Sequence, residues 1–184
     1  DKIIADLLDF ARLKSADRVP LSVAAVVQST LSHFTVPASV KVTLKIPANL
    51  PMVFADPRQV QQVLGNLVTN ACQAMASQKS SATGVASQKS SATGVEAGGR
   101  LTISARRQKE LVGIAVKDTG EGILPENMTK LFEPLFTTKV KGIGLGLPVS
   151  RKLAEANDGR IEVQSEPGKG STFTLYLPVQ EEEE

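Results

Sequence analysis

The stretch Asp118-Thr119-Gly120-Glu121-Gly122-Ile123 directly follows a predicted buried strand, Leu111–Lys117, and the interpretation of the whole chain begins there. The strand would hold the Asp118 carboxylate rigidly, and Gly120 and Gly122 would let the backbone turn tightly beside a flat ligand. An adenine ring suits this arrangement, because its exocyclic amine can donate a hydrogen bond to Asp118. The same pattern also occurs in ordinary tight turns, so the flanking segments must decide between the two interpretations.

The composition is that of one globular domain. The chain has 184 residues and a formal net charge of +2, which allows a sizeable core and gives no indication of a nucleic-acid partner. The single cysteine, Cys72, excludes an internal disulfide and suits a reducing compartment. No apolar run is long enough to cross a bilayer and no signal peptide opens the chain, so we expect a cytoplasmic fragment; an upstream membrane anchor stays open.

The first part of the chain predicts two helices joined by a linker. Residues 1–14 place apolar side chains on one helical stripe, which needs a partner surface because so short a helix is marginal alone. The members of this stripe are Ile3, Ile4, Leu7, Leu8 and Ala11. Residues 15–22 are predicted to be a linker, and Ser22 is the expected cap of a helix over Val23–His33.

Two strands and a long helix follow. Residues 40–46 alternate apolar and polar side chains, which predicts a half-buried strand, and 52–55 predict a second, short strand. Asp56 is the expected N-cap of the next helix, with Pro57 at its first position and Gln59 three residues beyond the cap. Apolar residues recur along that helix with the spacing of one broad face: Val60, Val63, Leu64, Leu67, Val68 and Ala71.

The ten residues ASQKSSATGV occur twice in succession, at 76–85 and 86–95. A single duplication of a Ser/Ala/Gly segment offers almost nothing to bury, so it does not predict a solenoid. We expect 76–99 to be a long, flexible surface loop inserted in the domain.

The second half of the chain completes a sheet. Strands are predicted at 101–106 and 111–117, then a helix at 147–156 and a final hairpin of strands at 160–164 and 172–177. This order predicts an α/β fold, a two-layer sandwich of a mixed β-sheet with helices on one face. Residues 23–178 would form the domain, and 179–184 would be an acidic, solvated tail.

Asn66 and Asn70 lie four residues apart and therefore share one face of the helix that begins after Asp56. Asparagine is a poor helix former, so the pair needs an explanation. One explanation is structural, with both side chains bonded to neighbouring backbone. The other is that their amide oxygens face a polar cavity and bind Mg²⁺, which prefers oxygen ligands and takes the rest from phosphates and water.

The segment LFEPLFTTK, at 131–139, combines apolar anchors with polar side chains. Phe132 and Phe136 are either ordinary core residues under a long loop or the anchors that pin a lid to the body, and these two roles are compatible. Thr137, Thr138 and Lys139 would bring hydroxyls and a cation to whatever the lid covers.

Gly142-Ile143-Gly144-Leu145-Gly146-Leu147 immediately precedes a predicted helix. The glycines allow consecutive backbone N–H groups to point inward, and the helix N-terminus adds partial positive charge, which together favour phosphate binding. Pro148 suits the first helical turn. A Rossmann site is disfavoured because a lid, not a strand, leads into the glycines, and a Walker lysine is absent after them.

In this order the motifs resemble the catalytic ATP-binding domain of sensor histidine kinases, within the superfamily that includes gyrase, Hsp90 and MutL. The four motifs typical of that family occur in its order: NLVTNA, DTGEGI, LFEPLFTTK and GIGLGL. The segment GKGSTF, at 168–173, is similar to the family's closing hairpin. The resemblance covers 20–178 and implies the Bergerat ATP-binding fold.

The resemblance implies ATP and Mg²⁺ as cofactors and gives roles to particular positions. Asp118 would accept a hydrogen bond from the adenine amine, and Asn70, helped by Asn66, would bind the metal; these two asparagines and Lys139 would form the catalytic set. Residues 121–141 would be the mobile lid over the nucleotide. The implied nucleotide-binding residues are Asn70, Asp118, Gly120, Gly122, Ile123, Phe132, Thr137, Thr138, Lys139, Gly142, Gly144, Leu145, Gly146 and Leu147.

The implied partners follow from the missing phospho-acceptor. Residues 1–14 resemble the end of the second helix of a dimerisation and phosphotransfer domain. The only histidine, His33, lacks the acceptor's sequence context, so we interpret it as a structural or surface residue. The fragment would therefore donate the γ-phosphate of ATP to a histidine on a separate dimerisation domain of the same protein. A response regulator receiver domain would be a further partner, and the full-length protein would be a homodimer.

Besides the missing acceptor histidine, two further departures from the family pattern and two alternative functions accompany the resemblance. Gln73 stands where many relatives carry a lysine, and the duplicated loop has no counterpart. Asn66 stands where gyrase-like ATPases carry a glutamate that activates water, which favours phosphoryl transfer to an amino-acid acceptor. The alternatives are a serine kinase of the anti-sigma-factor type, which the stripe in 1–14 disfavours, and a non-catalytic nucleotide-binding signalling module.

Overall fold

The computed structural model describes residues 15–81, 98–138 and 144–180. The strands in these ranges are β1 (Val19–Leu21), β2 (Lys41–Lys45), β3 (Val53–Ala55), β4 (Arg100–Gln108), β5 (Leu111–Lys117), β6 (Arg160–Glu166) and β7 (Gly170–Pro178). The helices are α1 (Val23–His33), α2 (Pro57–Ser81), α3 (Pro125–Met128) and α4 (Gly146–Ala156).

A mixed five-stranded sheet forms the centre of the fold. Its strand order is β2-β4-β5-β7-β6; β2 runs parallel to β4, and the other neighbours are antiparallel. Helices α2 and α4 pack against the sheet, and α1 packs against α2. The described strands and helices confirm the predicted α/β sandwich with helices on one face.

The core lies between the helices and one face of the sheet. Alternate strand residues point to opposite faces, so β4, β5 and β7 direct their largest apolar side chains toward α2. The fully buried members of this core include Leu64, Leu67, Leu101, Ile103, Ile114, Leu175 and Leu177. The opposite face carries more polar side chains, among them Ser104, Arg106 and Thr174.

The start of α2 is fixed locally, as the sequence predicts. The Asp56 carboxylate accepts hydrogen bonds from the backbone N–H groups of Arg58 (2.9 Å) and Gln59 (3.2 Å), which satisfies donors that have no partner inside the helix. Ser22 caps α1 in the same way, through the N–H of Ala25. Both helices therefore begin where short-range capping patterns predict.

Two strands differ from the sequence prediction. β1 lies inside 15–22, which was predicted to be a linker, and it pairs with β3 to form a separate two-stranded sheet. A three-residue strand has no detectable period, and its partner is far away in sequence. β2 was predicted to be half-buried, but it is an edge strand whose Val42 and Leu44 are 38% and 44% exposed.

The predicted ends of two segments also need correction. α2 continues to Ser81, so 76–81 are helical and not loop; alanine, glutamine and lysine are good helix formers, which allows the helix to run on past the core. The predicted acidic tail, 179–184, begins with two ordered residues. Val179 forms a β-bridge with Val53, and the N–H of Gln180 donates to the Met52 carbonyl. The predicted segments at 1–14, 82–97 and 181–184 lie outside the described residues.

Asn157, at the end of α4, joins that helix to the start of α2. Its side chain is buried, accepts a hydrogen bond from the Asp56 backbone N–H (2.7 Å), and donates to the Gln59 side-chain oxygen (2.8 Å) and to the Leu153 carbonyl (2.8 Å). Gln59 therefore bonds across to α4. Three buried hydrogen bonds through one amide fix where α4 ends against α2.

Replacing Asn157 by alanine is expected to lower the free energy of unfolding by about 2–4 kcal/mol, because buried polar partners lose their hydrogen bonds without gaining water. Arg18→Ala is the matched control, since it breaks only a partly exposed ion pair with Asp158 at the same helix end and should cost less than about 1 kcal/mol. Urea unfolding followed by circular dichroism measures both variants. Equal losses would contradict the role given to Asn157.

Candidate functional site

A cavity of about 610 Å³ opens between α2, the N-terminus of α4, the end of β5 and the loop that connects β5 to α4. This volume lies in the range of small-molecule sites, about 300–1,000 Å³. Predicted site residues that line it are Asn66, Asn70, Asp118, Gly122, Ile123, Thr137, Thr138, Gly144, Leu145, Gly146 and Leu147. The structure thus brings most of the predicted residues to one cavity.

Asp118 sits at the end of β5 with its side chain buried and its orientation fixed. One carboxylate oxygen accepts hydrogen bonds from the N–H of Gly120 (2.8 Å) and the N–H of Ser171 (3.3 Å), and the Asp118 N–H donates to the Ser171 carbonyl. Burial raises the pKa of the nearby Cys72 thiol, and the charge of Asp118 raises it further. The strand end therefore presents a rigid negative group beside a thiol that stays protonated.

The loop after Asp118 is held by close backbone contacts. Gly122 has a φ of +72°, and a Cβ there would lie 2.2 Å from the carbonyl oxygen of Glu166. The neighbouring Glu121 accepts from the N–H of Gly168 at 2.7 Å. Only glycine combines this backbone angle with so close an approach, so Gly122 shapes the wall by letting the loop lie against the β6–β7 turn.

The polar face of α2 forms one side of the cavity. Gln62, Asn66, Thr69, Asn70 and Gln73 all line it, and their spacing is that of one helical face. Asn66 is bonded to α4, because its amide nitrogen donates to Ser150 Oγ (3.2 Å) and to a backbone carbonyl of the first turn of α4 (3.4 Å). Both bonds use the nitrogen, so the amide oxygen is directed away from α4.

The N-terminus of α4 closes another side of the cavity. Gly144 has a φ of +73°, and a Cβ at this position would lie 2.5 Å from the Phe136 carbonyl oxygen. Its own carbonyl accepts from the N–H of Leu135 at 3.0 Å, which ties the entry of α4 to the preceding loop. The first turn of the helix, Gly146-Leu147-Pro148-Val149, has no acidic residue. This end is therefore suited to an anion.

The described part of the predicted lid, 121–138, reaches the cavity at both ends. Ile123 and Leu124 line it after the glycine turn, and Phe136, Thr137 and Thr138 line it before α4. The short helix α3 lies between them. Leu135, which does not line the cavity, is 65% exposed and leaves apolar surface on this segment.

Four predicted nucleotide-binding residues are not on the described cavity wall. Gly120 lies behind it, where a Cβ would come within 2.7 Å of the Ala74 backbone. Phe132 lies under the guanidinium of Arg151, 5.6 Å from its ring centroid, and is not a lining residue. Neither residue lines the cavity in this structure, and their roles in nucleotide binding stay predictions. Lys139 and Gly142 lie outside the described residues.

Several lining residues were not predicted as part of the site. Gln62 and Thr69 could have been found, because they stand one turn before and nearly one turn after Asn66 on the same face. Asn127, on α3, could not, since its position depends on how the loop folds back. Ser171 and Phe173 reach the cavity only through the pairing of β7 with β5.

The donor set indicates which kind of metal the site could accept. Within the described ranges, no group of three or more His, Cys, Asp or Glu side chains is placed to hold a metal. Amide oxygens from Asn66 and Asn70 can still supply one or two ligands to a hard cation that takes its other ligands from phosphates and water. Mg²⁺ fits that chemistry.

In the same part of the chain, no helix has the length and apolar character needed to cross a membrane.

Comparison with known proteins gives the family. Residues 55–181 match the model of the histidine kinase-, DNA gyrase B- and HSP90-like ATPase family. The chain is 35% identical over 182 residues to the sensor histidine kinase ZraS of Escherichia coli K12, covering 97% of this chain and 35% of ZraS. It therefore spans about a third of the length of this relative.

Solved structures show the same fold. The crystal structure of full-length ShkA in complex with AMPPNP aligns with a TM-score of 0.77 at 22% identity, over 97% of this chain and 35% of ShkA. The nucleotide-free catalytic domain of the histidine kinase ThkA aligns with a TM-score of 0.70 at 23% identity, over 89% of this chain and 96% of that domain. ThkA in complex with the response regulator protein TrrA aligns with a TM-score of 0.73 at 21% identity, over 97% of this chain and 47% of that one.

The family match covers more than half of the chain, and its boundaries contain α2, the end of β5 and the N-terminus of α4, which together enclose the cavity. The chain therefore belongs to the family of histidine kinase-, DNA gyrase B- and HSP90-like ATPases.

Proposed function

We propose that this domain binds ATP with Mg²⁺ in the cavity between α2, α4 and the lid, and that it donates the γ-phosphate to a histidine on a separate dimerisation domain. The observation that carries the proposal is that Asp118, the pair Asn66 and Asn70, and the N-terminus of α4 all line one cavity. These are the three kinds of group that a magnesium-bound nucleotide requires: an acceptor for the base, oxygen ligands for the metal and N–H donors for phosphates.

Asp118 is the proposed partner of the adenine amine. Its carboxylate is buried and held by the N–H groups of Gly120 and Ser171, so it keeps one orientation. Ionised carboxylates only accept hydrogen bonds, which suits an amine donor and opposes a carbonyl at the same place on the ring. The apolar side chains of Ile123 and Phe173 line the same cavity and would cover the faces of the ring.

Asn66 and Asn70 are the proposed protein ligands of the metal. Their side chains are neutral, so the full positive charge of the ion would remain available to neutralise phosphate oxygens during phosphoryl transfer. Gly144, Gly146 and Leu147 would provide backbone N–H donors at the N-terminus of α4. Lys139, Thr137 and Thr138 are proposed to contribute from the lid, and Gly142 from the same glycine-rich motif.

Phosphoryl transfer is favoured over hydrolysis. Asn66 stands where gyrase-like ATPases have a glutamate, and an amide does not remove a proton from water at neutral pH. Transfer between positioned groups needs orientation and charge neutralisation more than a base. The acceptor proposed here is a histidine supplied by the dimerisation domain of the same protein, with residues 1–14 as the end of that domain.

The partners of the full-length protein follow from its relatives. ThkA has been solved with the response regulator protein TrrA, and ShkA with AMPPNP. These complexes support a receiver domain as a partner of this protein and a triphosphate nucleotide as its ligand. We propose that the full-length protein is a homodimer and that this domain works in the cytoplasm, with or without a membrane anchor elsewhere in the protein.

Asp118→Asn is expected to weaken ATP binding about ten- to hundredfold, in line with the loss of one charged hydrogen bond. Asparagine retains an oxygen for the N–H groups of Gly120 and Ser171 but places an NH₂ group where the second carboxylate oxygen was. Isothermal titration calorimetry with ATP measures the effect. Unchanged affinity in a variant with wild-type thermal stability would remove the adenine assignment.

Asn70→Ala is expected to abolish the magnesium-dependent part of ATP affinity, because it removes a metal ligand and leaves the base contact intact. Titrations in excess Mg²⁺ and in EDTA separate the two parts. Gln61→Ala is the control: it lies on the same helix but bonds to Ser29 and His33, away from the cavity. A wild-type domain that binds ATP equally well in EDTA would contradict the metal assignment.

Mixing this domain with a separately prepared, histidine-containing dimerisation domain of the same protein and γ-labelled ATP should transfer label to histidine as an acid-labile phosphoramidate. Asn70→Ala should transfer almost none. Bound ATP without transfer would favour the non-catalytic nucleotide-binding module instead. Acid-stable label on serine would favour the anti-sigma-factor type of kinase.

A further inference from the structure

Ser150 is a fully buried hydroxyl one turn into α4, directly behind the wall of the cavity. Its Oγ donates to the Gly146 carbonyl at 2.8 Å and accepts from the amide nitrogen of Asn66 at 3.2 Å. The same Asn66 nitrogen also donates to the Gly146 carbonyl, at 3.4 Å. Three residues from two helices thus form a closed set of hydrogen bonds.

The donors and acceptors in this set favour one orientation of the Asn66 amide over the reversed one. A carbonyl only accepts, and a serine hydroxyl has a single proton, which here is directed to the Gly146 carbonyl. Ser150 Oγ can therefore only accept from Asn66. If the amide were reversed, its oxygen would face the Gly146 carbonyl, which cannot donate. Ser150 could bond to that oxygen only by turning its proton away from the Gly146 carbonyl, which would then lose both side-chain hydrogen bonds.

We infer that Ser150 is a positioning residue, which turns the amide nitrogen of Asn66 toward α4 and thereby turns its oxygen toward the cavity. The inference rests on the proposed function, since the oxygen matters only if Asn66 binds Mg²⁺ there. A metal accepts oxygen ligands and is repelled by an NH₂ group. Ser150 thus acts on the metal through Asn66, and does not touch it.

The first test needs no nucleotide. In the unchanged domain, the side-chain NH₂ protons of Asn66 should exchange slowly with solvent in NMR experiments, because the nitrogen donates to two acceptors. Ser150→Ala should remove most of that protection. Thr30→Val is the matched control, since Thr30 is a buried hydroxyl that bonds to the carbonyl four residues earlier in its own helix, as Ser150 does, but on α1.

The second test measures the metal. Ser150→Ala should lower ATP affinity in excess Mg²⁺ about five- to twentyfold and leave affinity in EDTA unchanged, whereas Thr30→Val should change neither. In an Asn66→Ala background, Ser150→Ala should have no additional effect, because the residue through which it acts is gone.

The two tests separate failure of this inference from failure of the proposed function. Rapid exchange of the Asn66 NH₂ in the unchanged domain overturns the role of Ser150, whatever the nucleotide data show. An effect of Ser150→Ala that persists in the Asn66→Ala background, or that is equal in Mg²⁺ and EDTA, also overturns it. An unchanged domain with protected Asn66 protons but no magnesium dependence instead overturns the metal role in the proposed function.

Discussion

Two amide side chains, Asn157 and Asn66, hold the two ends of α4 against α2, and the cavity between these helices depends on both. Asn157 joins the end of α4 to the start of α2 through Gln59 and the Asp56 backbone. Asn66 joins the middle of α2 to the first turn of α4 through Ser150 and Gly146. Because buried polar groups lose much free energy when unpaired, neither end can slide without breaking its bonds. The helix whose N-terminus faces the cavity is therefore fixed to the helix that carries the asparagines.

The other fixed point is the end of β5, in the centre of the sheet. β5 is paired on both sides, by β4 and β7, and its last residue, Lys117, lies opposite Thr102 and Thr172. Asp118 follows directly and is held by backbone N–H groups, including one from β7. The sheet thus positions the Asp118 carboxylate on one side of the cavity, and helices α2 and α4 position the asparagines and the glycine-rich helix start on the other. Gly122 follows Asp118 and Gly144 precedes α4, and both have a positive φ, in a backbone region that favours glycine.

How much of this could be predicted depends on sequence separation. The Asp56 cap, the apolar face of α2 and the glycine turns are set by residues within a few positions of each other, and the sequence predicts them correctly. Gln62 and Thr69 were within reach of the same helical periodicity. The β1–β3 pair and the bonds of Asn157 to Asp56 and Gln59 join residues roughly 30 to 100 positions apart. No local sequence pattern predicts contacts between residues so far apart, and the sequence around Asn157 predicts only a turn.

The use of an amide in place of a carboxylate at Asn66 has a structural consequence. A carboxylate presents an oxygen to a metal whichever way it is rotated, but an amide presents either an oxygen or an NH₂ group. A site that avoids negative charge near the phosphates therefore needs a second residue to choose the orientation. Ser150 and the Gly146 carbonyl do this from within α4. The Ser150 hydroxyl donates its single proton to the Gly146 carbonyl, so its oxygen accepts from the amide nitrogen of Asn66. The helix that would bind phosphate would thus also orient the proposed metal ligand on its neighbour, so the proposed phosphate and metal sites would be built as one unit.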